Sequence, residues 1–189
     1  MRALIPIATV ALAAVACGSP SGKPAAQSPQ ATGTQPTAAA QEFTSERYGF
    51  RVTLSEEWSG VDAVADWDGA RLQGLRSPAF ARFRAPATGR TLVAGAARAA
   101  EGMELPEWRA AMVRAAPSVC AESSTVEETT LGGEPALEWL ATCTDGDAIK
   151  LAALHGGRGY IIFLHSPTAK DAEDRRIFES IRDSFVFTP

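Results

Sequence analysis

From Phe50 to Leu54 apolar and polar residues alternate, the period-two pattern of a strand with one face buried. Trp58 follows a short acidic turn, and residues 61–78, with Gly, Pro and scattered Asp, read as loop and a short strand. Ala79 to Ala85 and Thr91 to Arg98 read as two strands around the turn Pro86-Ala87-Thr88-Gly89. The second of these is built almost entirely of small residues (Ala94, Gly95, Ala96, Ala97), which suits close approach by a helix or the lining of a groove. At Leu105-Pro106-Glu107-Trp108 the period changes. Leu105, Trp108, Met112 and Ala115 recur at helical spacing, proline sits where its missing N–H costs little, and Pro117 ends the run.

Beyond Val119 the pattern predicts a meander. Residues 120–129 and 136–143 are strand-like around Leu131-Gly132-Gly133-Glu134-Pro135, and 148–155 and 160–165 form a second pair around Gly156-Gly157-Arg158-Gly159. Ile161 to Leu164 are apolar without a break, as in a strand buried on both faces. Thr168 with Asp171 resembles a capping box, and Ile177, Phe178, Ile181 and Phe185 make the apolar stripe of a closing helix. Glu173, Asp174, Arg175 and Arg182 supply its polar face. Hairpins grouped around two helices predict an α+β fold, an antiparallel sheet flanked by helices.

Ahead of this domain the pattern is of another kind. Met1-Arg2 is positive, Ala3 to Ala16 carries no charge, and the apolar run stops at Ala14-Val15-Ala16-Cys17-Gly18-Ser19. Charge followed by a short apolar run is the form of an export signal, too short to span a bilayer, which needs about 20 residues. The junction resembles a lipobox, with Ala14 standing where that family usually has leucine. The resemblance implies a signal peptide over 1–16 and acyl chains attached through Cys17. The alternative is an ordinary signal peptide cut near Ala16, with Cys17 an incidental thiol. Residues 17–41 are Cys17 followed by Ser, Gly, Pro, Ala, Gln and Thr with one lysine, Lys23, and no large aliphatic or aromatic side chain, the composition of a disordered tether. The globular domain is expected over 42–189.

The chain has 18 basic and 22 acidic residues. With Arg2 and Lys23 set aside the domain stands near −6, which argues against nucleic acid or anionic headgroups as principal partners. Export would place Cys120 and Cys143 where disulfides persist. Their residue numbers sum to 263, and a two-residue Gly132-Gly133 turn gives antiparallel partners summing to 265. A two-residue adjustment or a bulge brings the cysteines opposite each other, so a Cys120–Cys143 disulfide is expected over two buried thiols.

Three segments carry a wider resemblance: Tyr48-Gly49-Phe50-Arg51-Val52 with Trp58, Leu131-Gly132-Gly133-Glu134-Pro135-Ala136, and Gly159-Tyr160-Ile161-Ile162-Phe163 before a helix ending in Ser184-Phe185. Their order resembles the PsbP-like fold, shared with the Ran-binding Mog proteins and many bacterial lipoproteins. The resemblance implies an α-β-α sandwich over about 43–187. It transfers neither a photosystem role nor Ran binding, since the chain has no photosynthetic transit peptide or nuclear character, and Glu57 stands where members often have proline.

No catalytic constellation emerges. His155 and His165 lack partners at metal-ligand spacing, Ser123, Ser124 and Ser166 lack a nucleophile-elbow context, and Gly156-Gly157-Arg158-Gly159 joins two strands and opens no helix. Glu127-Glu128 and Asp171, Glu173 and Asp174 read as solvated faces. The expectation is a non-enzymatic protein without cofactor or metal, lipid-anchored at the extracytoplasmic face of the cell membrane. It would bind another envelope protein through a sheet edge or loop face. The alternative is a binder of a small apolar ligand in a groove between sheet and helix, near strand 91–97 and Trp58, Trp67 and Trp108.

Overall fold

Turn chemistry and strand period set the meander directly. Gly132 (φ 56°) and Gly133 (φ 87°) occupy the two positive-φ positions of a tight hairpin turn, and Leu131 pairs with Glu134 across it. Gly156 and Gly157 repeat the device between His155 and Arg158. The computed structural model describes residues 40–72, 76–116, 120–168 and 171–189, and these described residues fall in one compact unit. The leader 1–16, Cys17 and the tether as far as residue 39 lie outside the described residues, as do positions 169–170 of the anticipated cap at Thr168.

In chain order the strands are β1 (Ala40–Ser45), β2 (Phe50–Ser55), β3 (Ser59–Val61), β4 (Ala81–Ala85) and β5 (Arg90–Arg98). Helix α1 (Leu105–Ala115) follows. Then come β6 (Cys120–Glu122), β7 (Glu127–Leu131), β8 (Glu134–Cys143), β9 (Gly146–His155), β10 (Arg158–Ser166), helix α2 (Asp171–Asp183) and β11 (Val186–Phe187). The large sheet is antiparallel throughout, ordered β3-β4-β5-β10-β9-β8-β6, with β7 also paired to β8. A small sheet, β1-β2-β11, joins the start of the domain to its end. β1 begins at Ala40, two residues ahead of the expected domain start.

The single strand expected over 120–129 is two. β7 pairs with β8 in the register set by the glycine turn (Glu127 opposite Glu138), whereas β6 pairs two residues out of that register (Cys120 opposite Cys143). The intervening residues absorb the shift, and the disulfide forms between directly facing cysteines, with Cα atoms 4.0 Å apart.

The expected α-β-α sandwich does not form. Among the described residues the fold is β-rich, with eleven strands and two helices of 11 and 13 residues. Seven strands abreast span about 30 Å at about 4.8 Å each. A helix about 10 Å wide covers roughly two of them. One helix per face therefore cannot make a layer, and other elements complete the cover. On one face α1 lays Trp108 on Gly159, and the segment before β4 lays Phe80 on Gly95. On the other, α2 shares the cover with the small sheet, whose Phe43 meets Phe83 edge-on at 4.6 Å and whose Phe187 meets Tyr160 at 4.9 Å. β5 and β10, central and covered on both sides, are buried along nearly their whole length.

Candidate functional site

The residues singled out from sequence are dispersed by the fold. His155 places Nδ1 2.9 Å from Glu134 Oε1 and stacks on Phe187 with centroids 4.1 Å apart. His165 lies on β10 with Nε2 3.4 Å from Asp145 Oδ1. Ser166 donates to the Thr168 carbonyl at 3.0 Å, Ser123 accepts from the Thr125 N–H, and Gly156-Gly157 is a hairpin turn. Among the described residues no three His, Cys, Asp or Glu side chains come together as a metal site. The Cys120–Cys143 disulfide, expected from the sequence, is formed. Cys17 lies outside the described residues.

The groove anticipated beside strand 91–97 is filled by the protein itself. A Cβ on Gly95 would fall 2.3 Å from the Phe80 ring, and one on Gly159 2.2 Å from Trp108. Trp67 packs between Phe80 and Trp108, and Trp108 donates its indole N–H to the Tyr160 carbonyl at 2.8 Å. The small residues of β5 admit these aromatic rings, so the stripe is packing.

Three buried ionic groups were not legible in the sequence. On β5, Arg90 (side chain 2% exposed) donates from Nε to Asp174 at 2.6 Å and lies 3.1 Å from Glu173. Burial opposes its charge, but the two carboxylates outweigh burial and its pKa moves up. Asp174, expected on a solvated face, is buried against the sheet. On β8, buried Glu138 accepts from Arg175 at 3.1 Å and Arg182 at 3.4 Å, both from α2. Burial still carries its pKa above the usual carboxylate value, against the pull of the two arginines. On the opposite face buried Lys150 of β9 is paired with Glu122 of β6. The other Glu122 oxygen accepts the Trp139 indole N–H at 2.6 Å. The partners stand 84, 37 and 28 positions apart for Arg90–Asp174, Glu138–Arg175 and Lys150–Glu122, beyond the reach of periodicity.

What remains open to solvent is at the ends and between elements. A concavity of about 830 Å³ lies between the β5–α1 loop and the β9–β10 turn, bordered by Arg98, Glu101, Met103, Glu134, His155 and Arg158. Arg98, Glu101 and Arg158 are exposed on its rim. A second groove, about 490 Å³, runs between β2 and α2 over Leu54, Trp58, Ile177 and Ile181, with Glu57 and Arg176 at its sides. Among the described residues no helix is long and apolar enough to cross a membrane.

No family model matches the chain, and no curated protein matches it in sequence. Among solved structures it is similar to the solution structure of cyanobacterial PsbP (CyanoP) from Synechocystis sp. PCC 6803, with a TM-score of 0.53 and 15% identity over 84% of this chain and 97% of that one. At that identity the likeness establishes a PsbP-like fold.

Proposed function

We propose that this protein is a lipid-anchored extracytoplasmic module that acts by binding another envelope protein, without catalysis. Cys17 carries the anchor, residues 17–39 the tether, and the loop end of the large sheet offers the binding surface. The observation that carries this reading is the location of free surface. Much of both faces of the large sheet is covered by the protein's own helices, small sheet and aromatic segment, and an open groove of about 830 Å³ is left, rimmed by Arg98, Glu101 and Arg158. An open polar groove suits a protein surface, whereas small-molecule sites are enclosed and mostly apolar. The Cys120–Cys143 disulfide supports an oxidising compartment.

The test is affinity capture from cross-linked intact envelopes with the lipidated full chain as bait. A linker-only bait and an Arg98→Glu/Arg158→Glu double variant serve as controls. The expected result is a partner enriched by the full chain and lost with the double variant. Equal recovery on all three baits overturns the proposal.

A second reading, a small apolar ligand, is favoured by one feature, the β2–α2 groove floored by Leu54, Trp58, Ile177 and Ile181. Native mass spectrometry of the protein from its own host separates the two: a persistent adduct supports the ligand, the bare mass excludes it.

A further inference from the structure

Strand β6 is three residues long and sits at the rim of the large sheet. Its ladder with β8 has three residue pairs, Cys120 with Cys143, Ala121 with Thr142 and Glu122 with Ala141, continued by the Ser123 N–H donating to the Leu140 carbonyl at 2.8 Å. Short rim strands of this length contribute little on their own. Yet Glu122 of this strand pairs with Lys150, whose side chain is only 5% exposed. Arg109 of α1 completes the lid, stacking over Trp139 at 5.1 Å and donating to the Ser123 carbonyl at 2.9 Å.

The ion pair cannot hold this strand down by itself. Desolvating a carboxylate and an ammonium offsets most of their attraction, so a buried pair gives little net closure. The covalent bond at Cys120 lies two residues from Glu122 and limits how far this end of the strand can move from β8. Both cysteines are half-buried at the rim and not sealed in the core.

We propose that the Cys120–Cys143 disulfide is a redox-sensitive latch that keeps β6 closed over Lys150 and Trp139. Its reduction releases β6 and uncovers both side chains while the rest of the sheet stays folded. The reductant is a dithiol. One of its thiolates attacks a sulfur of the bridge and displaces the other cysteine as thiolate, and its second thiol then resolves the mixed disulfide. Two electrons pass to the protein, which ends with two cysteine thiols, and the reductant ends as a disulfide.

The chain's three lysines, Lys23, Lys150 and Lys170, make this testable residue by residue. The full chain is pulse-acylated with an amine-reactive acetyl ester, quenched and peptide-mapped. This is done before and after reduction by a water-soluble phosphine, which yields the same dithiol form without consuming the reagent. Far-UV circular dichroism is recorded on both samples. The expected result is a rise of at least tenfold in the Lys150 labelling rate on reduction, with the sheet signal retained and the Lys23 and Lys170 rates unchanged. A Cys120→Ser/Cys143→Ser variant should label at Lys150 without reductant, and the reduced wild type serves if that variant does not fold. Lys150 still protected with both thiols free overturns the latch. So does loss of the sheet signal on reduction, which would make the bridge a staple for the whole domain.

Discussion

The two tyrosines of the chain, Tyr48 and Tyr160, are both buried, and their hydroxyls bond inward, to the Ala79 carbonyl at 2.5 Å and the Tyr48 carbonyl at 2.7 Å. Burial pushes the Tyr48 phenol up to about 12 and moves Tyr160 in the same direction. An unfolded tyrosine ionises near 10. Between these values the folded chain holds protons that the unfolded chain has lost. Stability therefore falls as pH rises through about 10 to 12, by up to about 1.4 kcal/mol per unit from Tyr48, and Tyr160 acts in the same direction. Tyrosinate absorbance should stay absent in the folded protein and appear in one cooperative step with unfolding. A smooth titration near pH 10 with the fold intact would contradict the burial. Gly159 makes a second prediction at this scale. Its backbone lies against Trp108, where a Cβ would fall 2.2 Å from the ring. Gly159→Ala should destabilise by about 1–3 kcal/mol, read from the urea midpoint. The sequence shows glycine at 159; it does not show which ring needs the space.

Helix α2 shows how an element can be predicted and its docking missed. The stripe of Phe178, Ile181 and Phe185 was legible as an apolar face, and all three residues are buried. Asp174 falls on the same side, one helical turn ahead of Phe178, and there it meets Arg90. Asp174→Ala would leave the Arg90 guanidinium buried with one carboxylate fewer and should cost about 3–5 kcal/mol. Arg90→Met combined with Asp174→Leu should recover most of that loss, since removing both charges also removes their desolvation. Equal melting temperatures for the single and double variants would show that packing, not the charge, holds α2. The strands β1, β3 and β11 were missed for a different reason. They are 6, 3 and 2 residues long and mostly exposed, without an alternating burial pattern, and β11 owes its existence to partners in β2 some 135 positions earlier. No local period announces a strand of that kind.

At the scale of the whole molecule, anchor and compartment give one joint prediction. Protein extracted from membranes should have the mass of a diacylglyceryl chain beginning at Cys17, and should gain about 2 Da on reduction as one disulfide opens. An unlipidated chain in the soluble fraction would make it a free secreted domain and would turn the search from envelope partners to diffusible ligands. By itself the sequence determined the hairpins of the meander, both helices and the facing cysteines. Those follow from forces within a few residues: positive-φ glycines at turns, side-chain period along each element, and the arithmetic of antiparallel register. Only the tertiary structure decided what covers the sheet, which charges lie inside it and which surface is left free. The helices were legible as elements, but a flanking layer depends on widths, and one helix spans roughly two strands of a sheet seven strands across. The small sheet and the aromatic segment fill the remainder because exposed strand faces must be buried by whatever part of the chain can reach them. That is a property of three-dimensional packing, to which periodicity along the chain is blind.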